Sequence, residues 1–157
     1  MTTRPEGRPR LPPRRFIRLA WAVHRAMVRL TGGRRGLWRP KPGKWGTMRL
    51  TTIGRRTGAE RNAILGYYED GPNLVTMAMN GWGDAEPAWW LNLQAHPEAV
   101  VELPGGSRAV RARAAVGDER TRLWARWRAF GSDPDAYAWR RSGETAVVVL
   151  EPAPPAG

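Results

Sequence analysis

The chain of 157 residues contains no cysteine, which removes disulfides, thiolate zinc sites, iron–sulfur ligation and a cysteine nucleophile together. Histidine is nearly as scarce: only His24 and His96 occur, far apart and without a companion motif. A histidine-rich metal centre or a Ser-His-Asp triad would need both in unsuited places, so no metal site is expected. His96, just before Pro97, stands where a helix end ordinarily carries a capping or surface histidine. Lysine is limited to Lys41 and Lys44, so the cationic side chains are almost all arginine. No apolar run approaches the roughly 20 residues that a transmembrane helix requires. Arg18 and Arg25 interrupt the stretches where a signal-peptide core would lie. The expectation is a cytoplasmic protein, with a peripheral place at a membrane surface left open.

What the chain has in excess is positive charge. Lys and Arg number 26 against 14 Asp and Glu, a formal net charge of +12. That implies anionic company: nucleic acid, an acidic lipid surface or a polyanionic cofactor. Nine tryptophans add planar surfaces suited to stacking flat rings. The length fits one domain able to bury its own core.

Along the chain, residues 1–13 hold four prolines and three arginines and read as a disordered basic arm. Residues 14–46 are expected to form an N-terminal helix and a connection. Phe16, Leu19, Ala20, Val23, Met27 and Leu30 fall on one helical stripe, with Arg18, Arg25 and Arg29 elsewhere around it. Such a helix can pack on the domain, cap a partner subunit or lie on an acidic membrane. Residues 47–152 carry the strand-like runs: 47–53, 62–68, 73–79, 99–103, 108–116 and 145–150. Helices are expected with Pro87 as the first helical residue and running on through Ala95, from a capping Asp118 to Phe130, and from Asp135 to Arg140. Residues 153–157 form a tail. About six mostly antiparallel strands with few helices predict a mainly β fold, a small closed or half-open barrel.

The most informative segment lies between the first two strands: Gly54-Arg55-Arg56-Thr57-Gly58-Ala59-Glu60-Arg61. Two glycines bracket a hairpin connection that carries three arginines and a hydroxyl. Glycine admits positive φ and close backbone approach, and guanidinium forks match phosphate and carboxylate oxygens bidentately. The segment reads as an anion clamp or, equally, as a solvated basic hairpin tip.

With the hairpin, the loop Asn80-Gly81-Trp82-Gly83-Asp84-Ala85-Glu86-Pro87 and the helix Trp89-Trp90-Leu91-Asn92-Leu93 in order, the chain resembles a known family. It is similar to the deazaflavin (coenzyme F-420)-dependent nitroreductases and quinone reductases of actinobacteria, which have a split β-barrel fold. The resemblance runs from about Thr47 to Pro152. It implies a coenzyme made of a planar deazaflavin, a ribityl chain, a phosphodiester and a glutamate tail. Arg55, Arg56 and Arg61 would hold phosphate or tail carboxylates, with Thr57 adding a hydroxyl and Gly58 the backbone approach. Met77 to Gly81, through Met79 and Asn80, would run past the ring with amides for its carbonyls. Asn92 would touch the cofactor, Trp89 would stand at the site and Trp90 in the core.

The implied reaction needs no protein nucleophile, because a reduced deazaflavin brings its own hydride and the protein aligns donor and acceptor. The acceptor would be a quinone, an enone or a nitro compound, covered by Tyr137 and Trp139, with a proton from solvent, Tyr67 or Tyr137. Met79 and Asn80 stand where some members carry a serine and a lysine, and the tyrosine-rich lid is reduced to Tyr137 with Trp139 nearby. Two other readings remain: a split barrel that binds FMN, and a basic module for nucleic acid or anionic lipid. The scatter of arginines and the lack of a recognition helix argue against a nucleic-acid partner. Oligomeric state is not legible.

Overall fold

Each of the strand-like runs becomes a strand. β1 (Gly46–Ile53), β2 (Glu60–Asp70) and β3 (Asn73–Met77) form a meander, and α1 (Ala88–Ala95) follows. β4 (Glu98–Leu103) and β5 (Gly106–Ala114) make a second hairpin. α2 (Gly117–Arg128) and α3 (Pro134–Trp139) precede β6 (Val147–Pro152). This computed structural model describes residues 36–79, 85–130, 134–139, 141 and 143–154. It also describes five helical, exposed positions nearer the N-terminus: Arg15, Leu19, Ala22, Val23 and Ala26. The basic arm and the rest of the expected helix over 14–30 lie outside the described residues.

The strands close into a barrel in the order β1-β2-β3-β6-β5-β4, every pairing antiparallel. β1 meets β4 with Leu50 opposite Val101 and Arg49 opposite Glu102, and the latter two are also ion-paired. Closure leaves no strand of the six with an unpaired edge.

The two-residue period of the strands then sorts the side chains. Met48, Leu50, Tyr67, Leu74, Val101, Val110, Val148 and Leu150 form the barrel core, joined by Trp89, Trp90 and Leu93 of α1. The alternate residues Tyr68, Val75, Met77, Val147 and Val149 build a second cluster with Leu123 and Trp127 of α2. β3 and β6 are therefore buried on both faces, which explains their near-continuous apolar sequences.

Polar contacts fix α2 in place. Arg122 and Arg126 both grip Asp70 at the end of β2, at 2.8 and 3.0 Å. Arg113 of β5 pairs with Glu119 and Glu151. The Tyr68 hydroxyl donates to the Leu123 carbonyl at 2.7 Å, and the Arg126 guanidinium lies 4.6 Å above the Tyr68 ring. Trp45 stacks on Trp127 with centroids 5.7 Å apart, and a Cβ at Gly66 would come within 3.4 Å of the Trp45 indole.

Three local expectations are corrected. Val116, without a side-chain bond, occupies the N-cap of α2, and Asp118 instead joins Glu119 in the first turn, where negative charge complements the helix dipole. Pro87 is the N-cap of α1, not its first helical residue. Leu103 pairs with Gly106, so the β4–β5 turn is the two residues Pro104 and Gly105, with Gly105 at φ +97°.

Two stability predictions follow from the packing of α2. Leu123 is fully buried, so Leu123→Ala should cost about 3 kcal/mol in urea unfolding. The hydrogen bond from Arg122 holds the Asp70 carboxyl below the usual carboxylate range. A depressed acid stabilises the fold above its unfolded pKa of about 4, and that stability is lost as pH falls through the lower folded value. Asp70→Asn should therefore lower Tm at neutral pH and flatten its decline below about pH 4.

Candidate active site

The turn joining β1 to β2 is built from backbone bonds. With Ile53 opposite Glu60, the Gly54 amide donates to the Ala59 carbonyl at 2.7 Å and the Gly58 amide to the Gly54 carbonyl at 2.8 Å. The glycines serve different needs. A Cβ on Gly54 would lie 3.0 Å from the Ala59 carbonyl oxygen, whereas Gly58 takes φ +73°. The Thr57 hydroxyl accepts the Ala59 amide at 3.3 Å. Arg55, Arg56, Thr57, Gly58 and Arg61 are all exposed. Among the described residues no ion pair involves Arg55, Arg56 or Arg61, while Arg49, Arg113, Arg122, Arg126 and Arg128 each face a carboxylate.

Asn92 anchors this turn from α1. Its Oδ1 accepts the Arg55 amide at 3.1 Å and the Arg55 Nη1 at 3.2 Å, and its Nδ2 donates to the Thr52 hydroxyl at 3.1 Å. Both Asn92 and Thr52 are buried. One amide side chain thus aims the first arginine and ties the hairpin to the helix.

A second polar junction lies where the chain leaves β3. The Ala78 amide donates to Ala146, and the Met79 amide folds back to Met77 at 2.9 Å. The Arg141 guanidinium donates to the Ala78 carbonyl at 3.1 Å and to the Thr145 hydroxyl at 3.0 Å. It pairs with Glu86 at 2.9 Å, its own side chain 1% exposed. Sequence reasoning missed both members, because two residues 55 apart share no period or motif.

The remaining expected residues divide. Tyr67 is sealed in the barrel core, its hydroxyl without a partner among the described residues, and burial pushes its pKa up to about 12. It stands seven residues along β2 from Glu60, roughly 23 Å from the arginine turn by strand rise. That position sets Tyr67 apart from the arginine turn. Trp89 and Trp90 are not separated as expected: both are buried in the barrel core, with rings 6.4 Å apart. Met77 is buried against the α2 cluster, and Met79 packs at its margin. Asn80 and Gly81 lie outside the described residues. Tyr137 falls on α3, and Trp139 at the end of that helix is 64% exposed.

The tryptophans are mostly structural. Trp45, Trp89, Trp90 and Trp127 pack in the two clusters, and Trp124 donates to Asp135 at 3.0 Å. A groove of about 400 Å³ bordered by Lys41, Tyr68, Arg126 and Phe130 lies at the far end of β2 from the arginine turn, and its Arg126 is engaged by Asp70 and the Glu69 carbonyl. No group of three or more metal-ligating side chains occurs among the described residues, and no described helix is long and apolar enough to cross a membrane.

Replacing Asn92 by leucine removes the anchor while keeping the volume. The Thr52 hydroxyl and the Arg55 amide lose their partner, so stability should fall by about 1–3 kcal/mol. Urea unfolding measures this without any ligand.

Comparison with known proteins gives the arrangement a context. The family model described as F420H(2)-dependent quinone reductase matches residues 21–152. A Mycobacterium tuberculosis protein provisionally named an F420H(2)-dependent quinone reductase is 33% identical over 119 residues, covering 74% of this chain and 95% of that protein. Another protein of the same organism, named F420H(2)-dependent quinone reductase, is 32% identical over 81 residues, 52% of this chain and 53% of its own. Among solved structures, an F420-H2 dependent reductase matches with a TM-score of 0.57 at 24% identity, over 67% of this chain and 93% of that one. A chain described as a domain-swapped dimer matches with a TM-score of 0.61 at 23% identity, over 85% and 99%. At these identities the structural likeness is one of fold, and it is the split barrel that the resemblance implied. Together with the extent of the family match, this makes the chain a member of the F420H(2)-dependent quinone reductase family.

Proposed function

We propose that the protein is a coenzyme F-420-dependent oxidoreductase that delivers a hydride from the reduced deazaflavin to a quinone or a similarly conjugated acceptor. The observation that carries the reading is the tip of the β1–β2 hairpin, where Arg55, Arg56 and Arg61 face solvent and no carboxylate pairs with them among the described residues. A cation cluster left unmatched suits a polyanionic ligand, and the phosphodiester and glutamate tail of the coenzyme supply one. The bound reduced deazaflavin supplies the hydride.

The chain's own residues do the rest. Asn92 and Thr52 hold Arg55 in place, so its fork is set before a ligand arrives, which lowers the cost of ordering it on binding. Arg56 extends from the same turn and Arg61 from the start of β2, and Thr57 keeps a hydroxyl proton to donate. The amides of Ala78 and Met79 are already used within the chain, so the segment's contacts to a ring fall to Asn80 and Gly81. The exposed indole of Trp139 offers an acceptor a stacking surface, and Tyr137, a residue of the same helix, is the candidate proton donor. Trp89 acts from beneath, as part of the wall that keeps the barrel end dry. The exposed Leu19 and Val23 favour a role for the N-terminal segment at an acidic membrane surface.

Fluorescence titration tests the reading directly. The protein should bind oxidised coenzyme F-420 tightly and FMN weakly, and equal or stronger FMN binding would overturn it. Arg55→Ala and Arg61→Ala should each weaken coenzyme binding by about 1–3 kcal/mol with little change in Tm. Trp139→Ala should slow quinone reduction while coenzyme binding stays intact, and unchanged turnover would move the acceptor elsewhere.

A further inference from the structure

The end of the barrel remote from the arginine hairpin holds a buried hydroxyl without a bond. Tyr67 is fully enclosed, yet its Oη meets no hydrogen-bond partner among the described residues. Buried polar groups are ordinarily paired, because an unmade bond costs free energy. The register shows what surrounds this one. Tyr67 lies opposite Gly46, on the face of β1 that carries the core residues Met48 and Leu50. No side chain fits there, since a Cβ on Gly46 would lie 2.5 Å from the Trp38 carbonyl oxygen and 2.8 Å from Pro40. The chain crossing at that point carries Arg39 over the barrel mouth to the β4–β5 turn, where its Nη2 donates to the Pro104 carbonyl at 3.5 Å. Arg108 of β5 pairs with the core residue Val101, and cross-strand partners share a face. Both guanidiniums act electrostatically on the Tyr67 phenol, as does the Glu69 carboxylate. Arg39, Arg108 and Glu69 are exposed, and none of them forms an ion pair among the described residues. Two cations against one carboxylate leave this mouth positive.

We propose that this end of the barrel is a second oxyanion site, in which a phosphate or carboxylate group sits between Arg39 and Arg108 and accepts a hydrogen bond from the Tyr67 hydroxyl. The bond from Arg39 to Pro104 is long, and therefore weak. Arg39 can turn from it onto an anion at little cost and uncover the phenol beneath. Burial keeps the phenol protonated at neutral pH, with its pKa pushed up to about 12, so it enters as a donor. The site is separate from the coenzyme reading and stands whether or not that reading holds.

The chain has three tyrosines, so ring-labelled tyrosine gives three sets of NMR resonances, assigned by replacing each in turn with phenylalanine. Inorganic phosphate and acetate, titrated separately at constant ionic strength, should move the Tyr67 signal and leave Tyr68 in place. The anion that acts at the lower concentration identifies the group. The shift should persist in Arg55→Ala/Arg61→Ala, which removes the hairpin's own attraction for anions. Arg39→Ala and Arg108→Ala should each raise the Kd of that anion about tenfold, the usual loss for one charge-assisted contact. Without added anion, Tyr67→Phe should melt at or above the wild-type temperature, because its hydroxyl has no bond to lose. A Tyr67 signal unmoved by both anions would overturn the proposal. So would a Tyr67→Phe variant that melts well below wild type or fails to fold, since the hydroxyl would then already be bonded to a buried water.

Discussion

The barrel depends on the insertion of β6 between β3 and β5. Val149 lies opposite Val75 on one side and Arg113 on the other, so the strand closes a ring whose other members are joined by hairpins or by the β1–β4 pairing. Its residues Val147 to Leu150 are all buried. Half of them belong to the barrel core and half to the cluster under α2. Remove that strand and both hydrophobic clusters lose a wall, β3 and β5 become bare edges, and α2 has no floor. The approach to the same strand carries Thr145, which binds Arg141. Barrel closure and the order of the site are thus linked through one short stretch of chain.

Helix α1 is the second organiser. Asn92 in its second turn holds the arginine hairpin, and Glu86 just ahead of its first turn holds Arg141 and, through it, the exit of β3. The two halves of the candidate site come from distant parts of the sequence, and both are referenced to one rigid helix whose tryptophans are packed into the barrel. A site built this way keeps its spacing as long as α1 stays seated, because Trp89, Trp90 and Leu93 fix the helix by burial and not by its short run of internal hydrogen bonds.

Much of this was legible from residue order. Alternation and turn residues placed the six strands within a few positions, and Gly54 to Arg61 stood out because glycine and arginine there serve no packing purpose. The number of strands and the liability of bare edges pointed to a closed or half-open barrel, and the family resemblance named it a split barrel. What stayed hidden has physical causes. Tyr67 and Tyr68 are adjacent in a strand, so one must point inward and the other outward, and nothing local says which; the covering α2 decides it. The bonds of Asn92 to Thr52 and Arg55 stayed hidden because they join residues 37 to 40 positions apart, which no spacing rule reveals. The tryptophans were read as stacking surfaces, whereas most of those described fill the core. Arg141 was invisible for the plainest reason: it looks like any other arginine in a basic chain.

The contrast between the exposed hairpin arginines and the enclosed Arg141 gives the two halves of the site different responses to ionic strength. Dissolved ions reach charges on the surface and screen them over about 8 Å at physiological salt. They do not penetrate to a guanidinium 1% exposed. Salt will therefore weaken the attraction of the hairpin arginines for any anion while leaving the junction at Ala78 and Glu86 unaltered.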